Sequence, residues 1–295
     1  MPDIKLALKI DIDSFLGAKN GVPKLLDLLK QSRIRATFFA SVGPDNSGRA
    51  ILRAYDPRFI KRMLKLGAGK TYGKYTLFYG TLLKAPVIGL EAKRELRQIS
   101  QQGHEVGLHA YDHISWHSGM KRWSRSDIQH ELKKGISIFE DVFGRKPMSF
   151  ASPGWQANED LVSIEDELGF GYCSDTRGKN CFYPRFLNRE YRTLQVPTTL
   201  PTFDELLMLG YDEDSAVDKM VALLSKKGYN VLNIHPEFEG SSRFGMFCKF
   251  LGRLGSRASF LTLKDIAKKE VGAKSSELVW GKVRGRYGTL GCQKL

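Results

Sequence analysis

The sequence is poor in cysteine, in long apolar runs and in acid. Its four cysteines, Cys173, Cys181, Cys248 and Cys292, form no CxxC pair. That excludes a zinc ribbon or a dithiol redox motif, and they read as reduced thiols of a cytosolic protein. No stretch is long and clean enough to span a bilayer; the nearest, residues 75–90, is interrupted by Lys84 and Pro86. Residues 1–10 carry Asp3, Lys5 and Lys9 in an alternating pattern, without the unbroken apolar core of a signal peptide. Familiar catalytic signatures are also missing. His104-Glu105 with His109 does not have HExxH spacing, and Leu64 stands where a phosphate loop ending in Gly69-Lys70-Thr71 would begin with glycine. No G-x-S-x-G elbow occurs. Acidic residues number 32 against 46 basic ones, a net charge of +14. That excess suits phosphate, anionic lipid headgroups or nucleic acid, or serves solubility alone. No basic-aromatic RNA-reading motif accompanies it, so nucleic acid is not an expected partner.

What is present is a regular alternation of strand and helix patterns. The chain has 295 residues, 42% of them hydrophobic, which suits one large domain. Strand patterns are predicted at 4–12, 34–42, 104–109, 148–152, 171–175, 193–200 and 230–235. Helical spacing is predicted at 22–29, 91–102, 126–143, 215–227, 243–254 and 263–269. Seven strands alternating with helices argue for a parallel, barrel-like α/β fold.

Five polar patches sit at the ends of these strand patterns: Asp11-Ile-Asp13, His109-Ala-Tyr-Asp-His113, Ser152-Pro-Gly-Trp155, Ser174-Asp175-Thr-Arg177 and Asn233-Ile-His235. Strand C-termini converge on one face of an α/β barrel, where active sites are built. The spacing of His109 and His113 lets two imidazoles meet one metal, although an isolated pair is more often satisfied by local hydrogen bonds. Asp11 and Asp13 share one strand face and would repel without a cation or proton between them. One can ligate a metal while the other acts as a base. His235 is followed by Glu237 and Glu239, and neighbouring carboxylates favour an imidazolium suited to general-acid work. Two carboxylates, a paired His motif and a distant His make a set for metal-assisted hydrolysis.

The patches resemble, in order, the five motifs of the polysaccharide deacetylase superfamily, over about residues 5–270. The strings VGPDNSGR (42–49), HEVGLHAYDH (104–113), SDTRG (174–178), VPTTLPTFDE (196–205) and IHPEFEG (234–240) are similar to one branch of it. That branch consists of deformylases acting on 4-deoxy-4-formamido-L-arabinose linked to undecaprenyl phosphate, a step of lipid A modification and polymyxin resistance. The resemblance implies a distorted (β/α)7 barrel and a metal-dependent amide hydrolase. It implies Asp13, His109 and His113 as ligands of a divalent metal, zinc foremost, with Asp11 as general base and His235 as the acid that protonates the leaving amine. Trp155, Asp175, Glu237 and Glu239 are the expected substrate-binding residues. In one respect the chain departs from the pattern: Ala151 stands where the third motif usually opens with a base-orienting arginine, and Arg177 is expected to supply that charge.

A catalytic domain is expected over residues 1–270, with 43–90 as an inserted excursion and 271–295 as a flexible basic tail. Within the excursion, basic residues between Arg49 and Lys70 precede Tyr72, Tyr75, Phe78, Tyr79, Leu82 and Leu83. That order suits an anionic membrane surface or a solvated helix with a capping loop. The expected location is cytoplasmic, peripheral to the inner membrane, with a polyprenyl-phosphate-linked formamido sugar as partner. The alternatives are a deacetylase of another N-acylated sugar and a non-enzymatic basic barrel that binds lipid or nucleic acid.

Overall fold

The computed structural model describes residues 3–49, 76–270 and 272–295. Strand β1, Ile4–Ile12, is the centre of the fold. Its even-numbered residues Leu6, Leu8, Ile10 and Ile12 are wholly buried against the outer helices, each worth about 1.5–3 kcal/mol. Its odd-numbered residues Ala7, Lys9 and Asp11 are buried too, on the opposite face. Ala7 belongs there to a second apolar cluster with Phe39, Ala151, Val196 and Val231. A strand buried on both faces marks a parallel sheet covered on both sides.

The other strands are β2 (Thr37–Ala40), β3 (Glu105–Leu108), β4 (Ser149–Phe150), β5 (Tyr172–Cys173) and β8 (Asn230–Ile234). They lie parallel in the order β5-β4-β3-β2-β1-β8, and β9 (Ala258–Leu261) pairs the first half of β1. The register sets Ile10 beside both Phe38 and Ile234, so the ends of β1, β2 and β8 lie side by side. The predicted strand at 193–200 forms only isolated bridges, parallel from Cys173 to Gln195 and from Arg177 to Thr198 and antiparallel from Phe182 to Gln195. The same segment donates from Leu200 N to Val231 O, so it links β5 to β8 and curls the sheet toward closure. Pro197 and Pro201 deny it a continuous ladder, because proline has no N–H to give. The result is a curled α/β half-barrel, as the sequence predicts.

Helices cover the outside. The main ones are α1 (Val22–Gln31), α2 (Ile88–Glu91), α3 (Lys93–Gln101), α4 (His113–Gly119), α5 (Arg125–Phe143), α6 (Glu159–Leu168), α7 (Phe203–Met208), α8 (Glu213–Leu223), α9 (Phe244–Leu254) and α10 (Leu263–Lys269). Among the described residues no helix is long and apolar enough to cross a membrane.

One expectation changes here, and another lies largely outside the described residues. The segment after residue 270 is no flexible tail. Strands β10 (Ser275–Gly281) and β11 (Leu290–Gln293) pair antiparallel, and β10 also pairs β6 (Tyr183–Phe186), which pairs β7 (Arg189–Glu190). Leu278 and Leu290 are buried there, so short strands with few apolar residues are stabilised by docking onto the barrel. Of the expected excursion 43–90, residues 50–75 lie outside the described residues, and with them Arg53, Arg58, Lys61, Arg62, Lys65, Lys70, Tyr72 and Tyr75. The described part, 43–49 and 76–90, packs back onto the barrel end: Asp45 N donates to Pro86 O, and Gly43 N to Tyr111 O.

Candidate active site

The polar patches meet at the C-terminal end of the strands. Asp11 ends the inward face of β1, and Asp13 lies just beyond the strand. His109 follows β3, and Ala110 after it has φ of 73°, which turns the chain sharply into α4. Asp112 caps that helix, accepting from Ile114 N and Ser115 N at 3.0 Å each, and so places His113 in its first turn. The HxxxH spacing therefore acts through a strand–turn–helix, with one imidazole on each side of the turn. Asn46 Nδ2 donates to Asp112 at 2.6 Å, and Asp45 accepts from Phe15 N at 2.8 Å. The VGPDN string thus ties the Asp11–Asp13 turn to the histidine turn.

Asp13 is the hub. Its carboxylate lies 3.3 Å from His109 Nε2, 3.3 Å from His113 Nε2 and 3.9 Å from His235 Nε2. Asp11 Oδ2 is 4.0 Å from His109 Nε2. His109 Nδ1 donates to Ala151 O at 2.6 Å, which fixes the ring with Nε2 facing the carboxylates. Burial raises the Asp13 carboxyl, but the three histidines, His113 first, outweigh it and hold the group well below the usual carboxylate range. Burial lowers His113 to about 4, with only partial compensation from Asp13, so its imidazole is neutral. Neutral imidazole is the form that ligates metals.

These residues fit a divalent cation. The ligand atoms of Asp13, His109 and His113 lie within 4.8 Å of one another. Asp11 Oδ1 and Asp13 Oδ1 are buried and have no hydrogen-bond partner among the described residues. Buried carboxylate oxygens without donors are costly, and a cation relieves that cost. Two imidazoles and a carboxylate are a donor set that suits zinc.

The structure corrects the expected surroundings of Asp11. Arg177 does not reach it. Its guanidinium donates to Glu205 Oε1 at 2.6 Å and to Leu200 O at 2.8 Å, and stacks on Trp155. The cation on Asp11 is Lys9, one step back along the same strand face. It is wholly buried, bonded to Asp11 Oδ2, and lies 5.4 Å from the Phe39 ring and 5.6 Å from the Trp155 ring. An ammonium so buried needs its partner. A lysine inside an apolar alternating strand, two residues before an aspartate, was the signal available in the sequence.

All four expected substrate-binding residues are sealed inside as supports. Glu237 Oε1 accepts from Asp13 N (3.0 Å), Ser14 N (2.7 Å) and Ser14 Oγ (2.8 Å), so it staples the turn of β1 to the end of β8. Glu239 accepts from His235 N at 2.7 Å and fixes that loop. Burial pushes both carboxyls up to about 8, with Asp13 adding to Glu237 and Asp204 to Glu239. Asp175 has no exposed surface; it accepts from Ser152 N at 2.6 Å and from Gln195 Nε2 at 2.8 Å. Trp155, in a turn with φ of 53°, donates from Nε1 to Thr198 Oγ1 at 3.0 Å and is only 2% exposed. His235 remains at the opening, with a side chain 21% exposed.

Glu165, Cys173 and Asp175 form a second, wholly buried cluster. Burial, then the charge of Asp175, drives the Glu165 carboxyl well above its usual range. A folded-state pKa above the unfolded one means stability is full in acid and declines as pH rises past the ordinary carboxylate value. Glu165→Gln keeps a donor for Asp175 and removes that decline. In urea melts from about pH 5 to about pH 9, the variant should gain on the wild type as pH rises. A difference that stays constant with pH would refute the protonated Glu165.

Known proteins share both sequence and fold with this chain. The family described as polysaccharide deacetylase matches residues 2–173, and glycosyl hydrolase family 57 matches residues 110–239. A protein of Shewanella sediminis (strain HAW-EB3), "Probable 4-deoxy-4-formamido-L-arabinose-phosphoundecaprenol deformylase ArnD", is 36% identical over 237 residues, 80% of this chain and 76% of its own. The protein of the same name from Wigglesworthia glossinidia brevipalpis is 35% identical over 259 residues, 87% of this chain and 90% of its own. Among solved structures, a Mycobacterium smegmatis protein named for polysaccharide deacetylases superposes with a TM-score of 0.61 at 16% identity, covering 96% of each chain. The chitin deacetylase of Colletotrichum lindemuthianum gives 0.52 at 17% identity, covering 92% of this chain and 89% of that one. Those neighbours share the curled half-barrel described above. With its five motif patches in family order, the chain belongs to the polysaccharide deacetylase family of amide C–N hydrolases.

Proposed function

We propose that this chain removes the formyl group from a 4-formamido sugar carried on a polyprenyl phosphate, with a divalent cation, zinc foremost, held by Asp13, His109 and His113. The observation that carries the reading is the convergence of Asp11, Asp13, His109, His113 and His235 through contacts of 4.0 Å or less at one barrel end. The curated relatives named for the formamidoarabinose deformylase supply the substrate class. A cation bound there supplies Lewis-acid polarisation of the amide carbonyl and of the attacking water. Asp11 is the general base. Lys9 holds its Oδ2, so Oδ1 is the oxygen left to take the proton as the water attacks the formyl carbon. His235, at the opening, gives a proton to the nitrogen as the C–N bond breaks. The products are formate and the free amine of the sugar. The reading places the step in lipid A modification and polymyxin resistance.

The test is formate release by metal-loaded protein from formamidoarabinose-phosphoundecaprenol in detergent. Formate at a rate that tracks metal content supports the reading. Acetate from an N-acetyl sugar, and no formate, would replace it with a deacetylase.

A lipid-borne substrate implies work at a membrane surface, here the cytoplasmic face of the inner membrane. In support, Phe78, Leu82 and Leu83 are 43%, 80% and 41% exposed on one turn, flanked by Arg49 and Lys84. Each basic residue near anionic lipid adds about 1 kcal/mol. Leu82→Asp with Leu83→Asp, or charge reversal at Lys61, Arg62 and Lys65, should weaken binding to anionic liposomes with the fold intact. Unchanged binding by both variants would remove the membrane contact.

A further inference from the structure

The C-terminal hairpin, which no motif of the family reading uses, is built into the site wall. Arg177 N donates to Gly291 O at 2.9 Å, and Gln293 N to Arg177 O at 2.8 Å, so β11 runs alongside the fourth patch. Gln156 Nε2 donates to Thr289 O at 2.9 Å, tying the hairpin to the third patch as well. The loop between β10 and β11 then turns at Gly285. Its φ of 82° suits glycine, and a Cβ there would stand 2.6 Å from Glu205 O. That close approach lays Arg286 directly on the site.

The Arg286 guanidinium centre lies 4.5 Å from the Trp155 ring centroid, on a ring that Arg177 and Lys9 also approach. Arg286 Nε donates to Glu205 Oε1 at 2.9 Å, the same oxygen that Arg177 uses, and Nη2 lies 4.0 Å from Asp204. Burial disfavours its charge, but Asp204, Glu205 and, from across the site, Asp13 outweigh that and keep the guanidinium charged. Arg286 Nη2 is nevertheless buried and has no hydrogen-bond partner among the described residues. The side chain is thus fixed by a stacked ring and a carboxylate, with one charge-assisted donor left over within electrostatic reach of Asp13. A guanidinium held in this way is suited to an anionic oxygen, and to phosphate in particular.

We propose that Arg286 is the anchor for the phosphate of the substrate, donating from Nη2 to an oxygen of a sugar 1-phosphate. The inference rests on the sugar-phosphate substrate class proposed above. It gives the hairpin a role in recognition: the phosphate end of the sugar is held by a residue near the C-terminus while the amide lies at the Asp11–His109–His113 end.

The experiment titrates a pentose 1-phosphate, and the free pentose beside it, into the metal-loaded full chain by calorimetry. The wild type should bind the phosphate at least tenfold more tightly than the free sugar. Arg286→Gln should abolish that preference while leaving free-sugar binding, metal content and the circular dichroism spectrum unchanged. Arg286→Lys cannot serve Glu205 and the phosphate together, so it should cut the preference at least threefold, and it keeps the test open if the glutamine variant does not fold. A preference that survives in the lysine and any folded glutamine variant, or an equal loss for both ligands, would overturn the assignment. Arg286-dependent phosphate binding in a protein that releases no formate would leave the anchor standing and remove the deformylase reading instead.

Discussion

Asp11→Asn should lower formate release by about 10²–10⁴-fold, the range for loss of a general base, while metal content stays at the wild-type level. The variant should also be less stable. Lys9 is wholly buried and Asp11 is its bonded partner, so neutralising the aspartate leaves an ammonium without its counter-charge. Breaking a buried pair from one side costs about 3–5 kcal/mol. For a chain of this size that corresponds to a fall in Tm of roughly 5–8 °C. The two effects separate in the double variant Lys9→Met with Asp11→Asn. Removing both charges restores most of the stability, because an apolar side chain among Phe39 and Trp155 is well accommodated. It should restore none of the rate. Near-wild-type formate release from either variant would show that Asp11 is not the base. A double variant as unstable as the single one would show that the pair is not what holds this part of the barrel.

Asp13→Ala should lose the metal itself. Asp13 is the group on which His109, His113 and His235 converge, and its carboxylate is held ionised by them. Elemental analysis of the purified variant should show metal near zero, and formate release should fall to background. Binding at a thousandfold excess over Kd stabilises a folded protein by about 4 kcal/mol, and that increment should be missing. The wild type should lose roughly 6 °C of Tm on chelation, whereas Asp13→Ala should melt at one temperature with or without chelator. A variant that retains stoichiometric metal would move the site elsewhere. The structure offers a concrete place to look: the buried Glu165, Cys173 and Asp175 cluster.

The contrast between Lys9 and Arg177 shows where sequence reading stops. By sequence Arg177 is the natural replacement for the missing motif arginine, because it stands at a strand end among other polar residues. Charge and position along the chain do not say where a long side chain points. Glu205 of α7 and Leu200 O, at the end of the segment that bridges β5 to β8, take up the Arg177 guanidinium. Lys9 reads as one more polar residue of an alternating strand, and that period-two alternation puts it on the Asp11 face. In the same way Glu237 and Glu239 read as acids beside His235, and only their backbone partners, Asp13 N, Ser14 N and His235 N, reveal them as supports.

The parallel α/β class is legible from the residues alone, since runs of alternating apolar residues and helical spacings are local properties that each segment carries. So is the order of the five patches, because each is a short string at the end of its own strand. Which cation meets the base, which acids are sealed away, and the stacking of Arg286 on Trp155 all arise in the folded chain. Those outcomes depend on contacts between segments far apart in the chain. The C-terminal hairpin illustrates the physical reason. Its strands bury few apolar residues of their own, so nothing local announces them, and their stability comes from pairing with β6 and docking against the third and fourth patches.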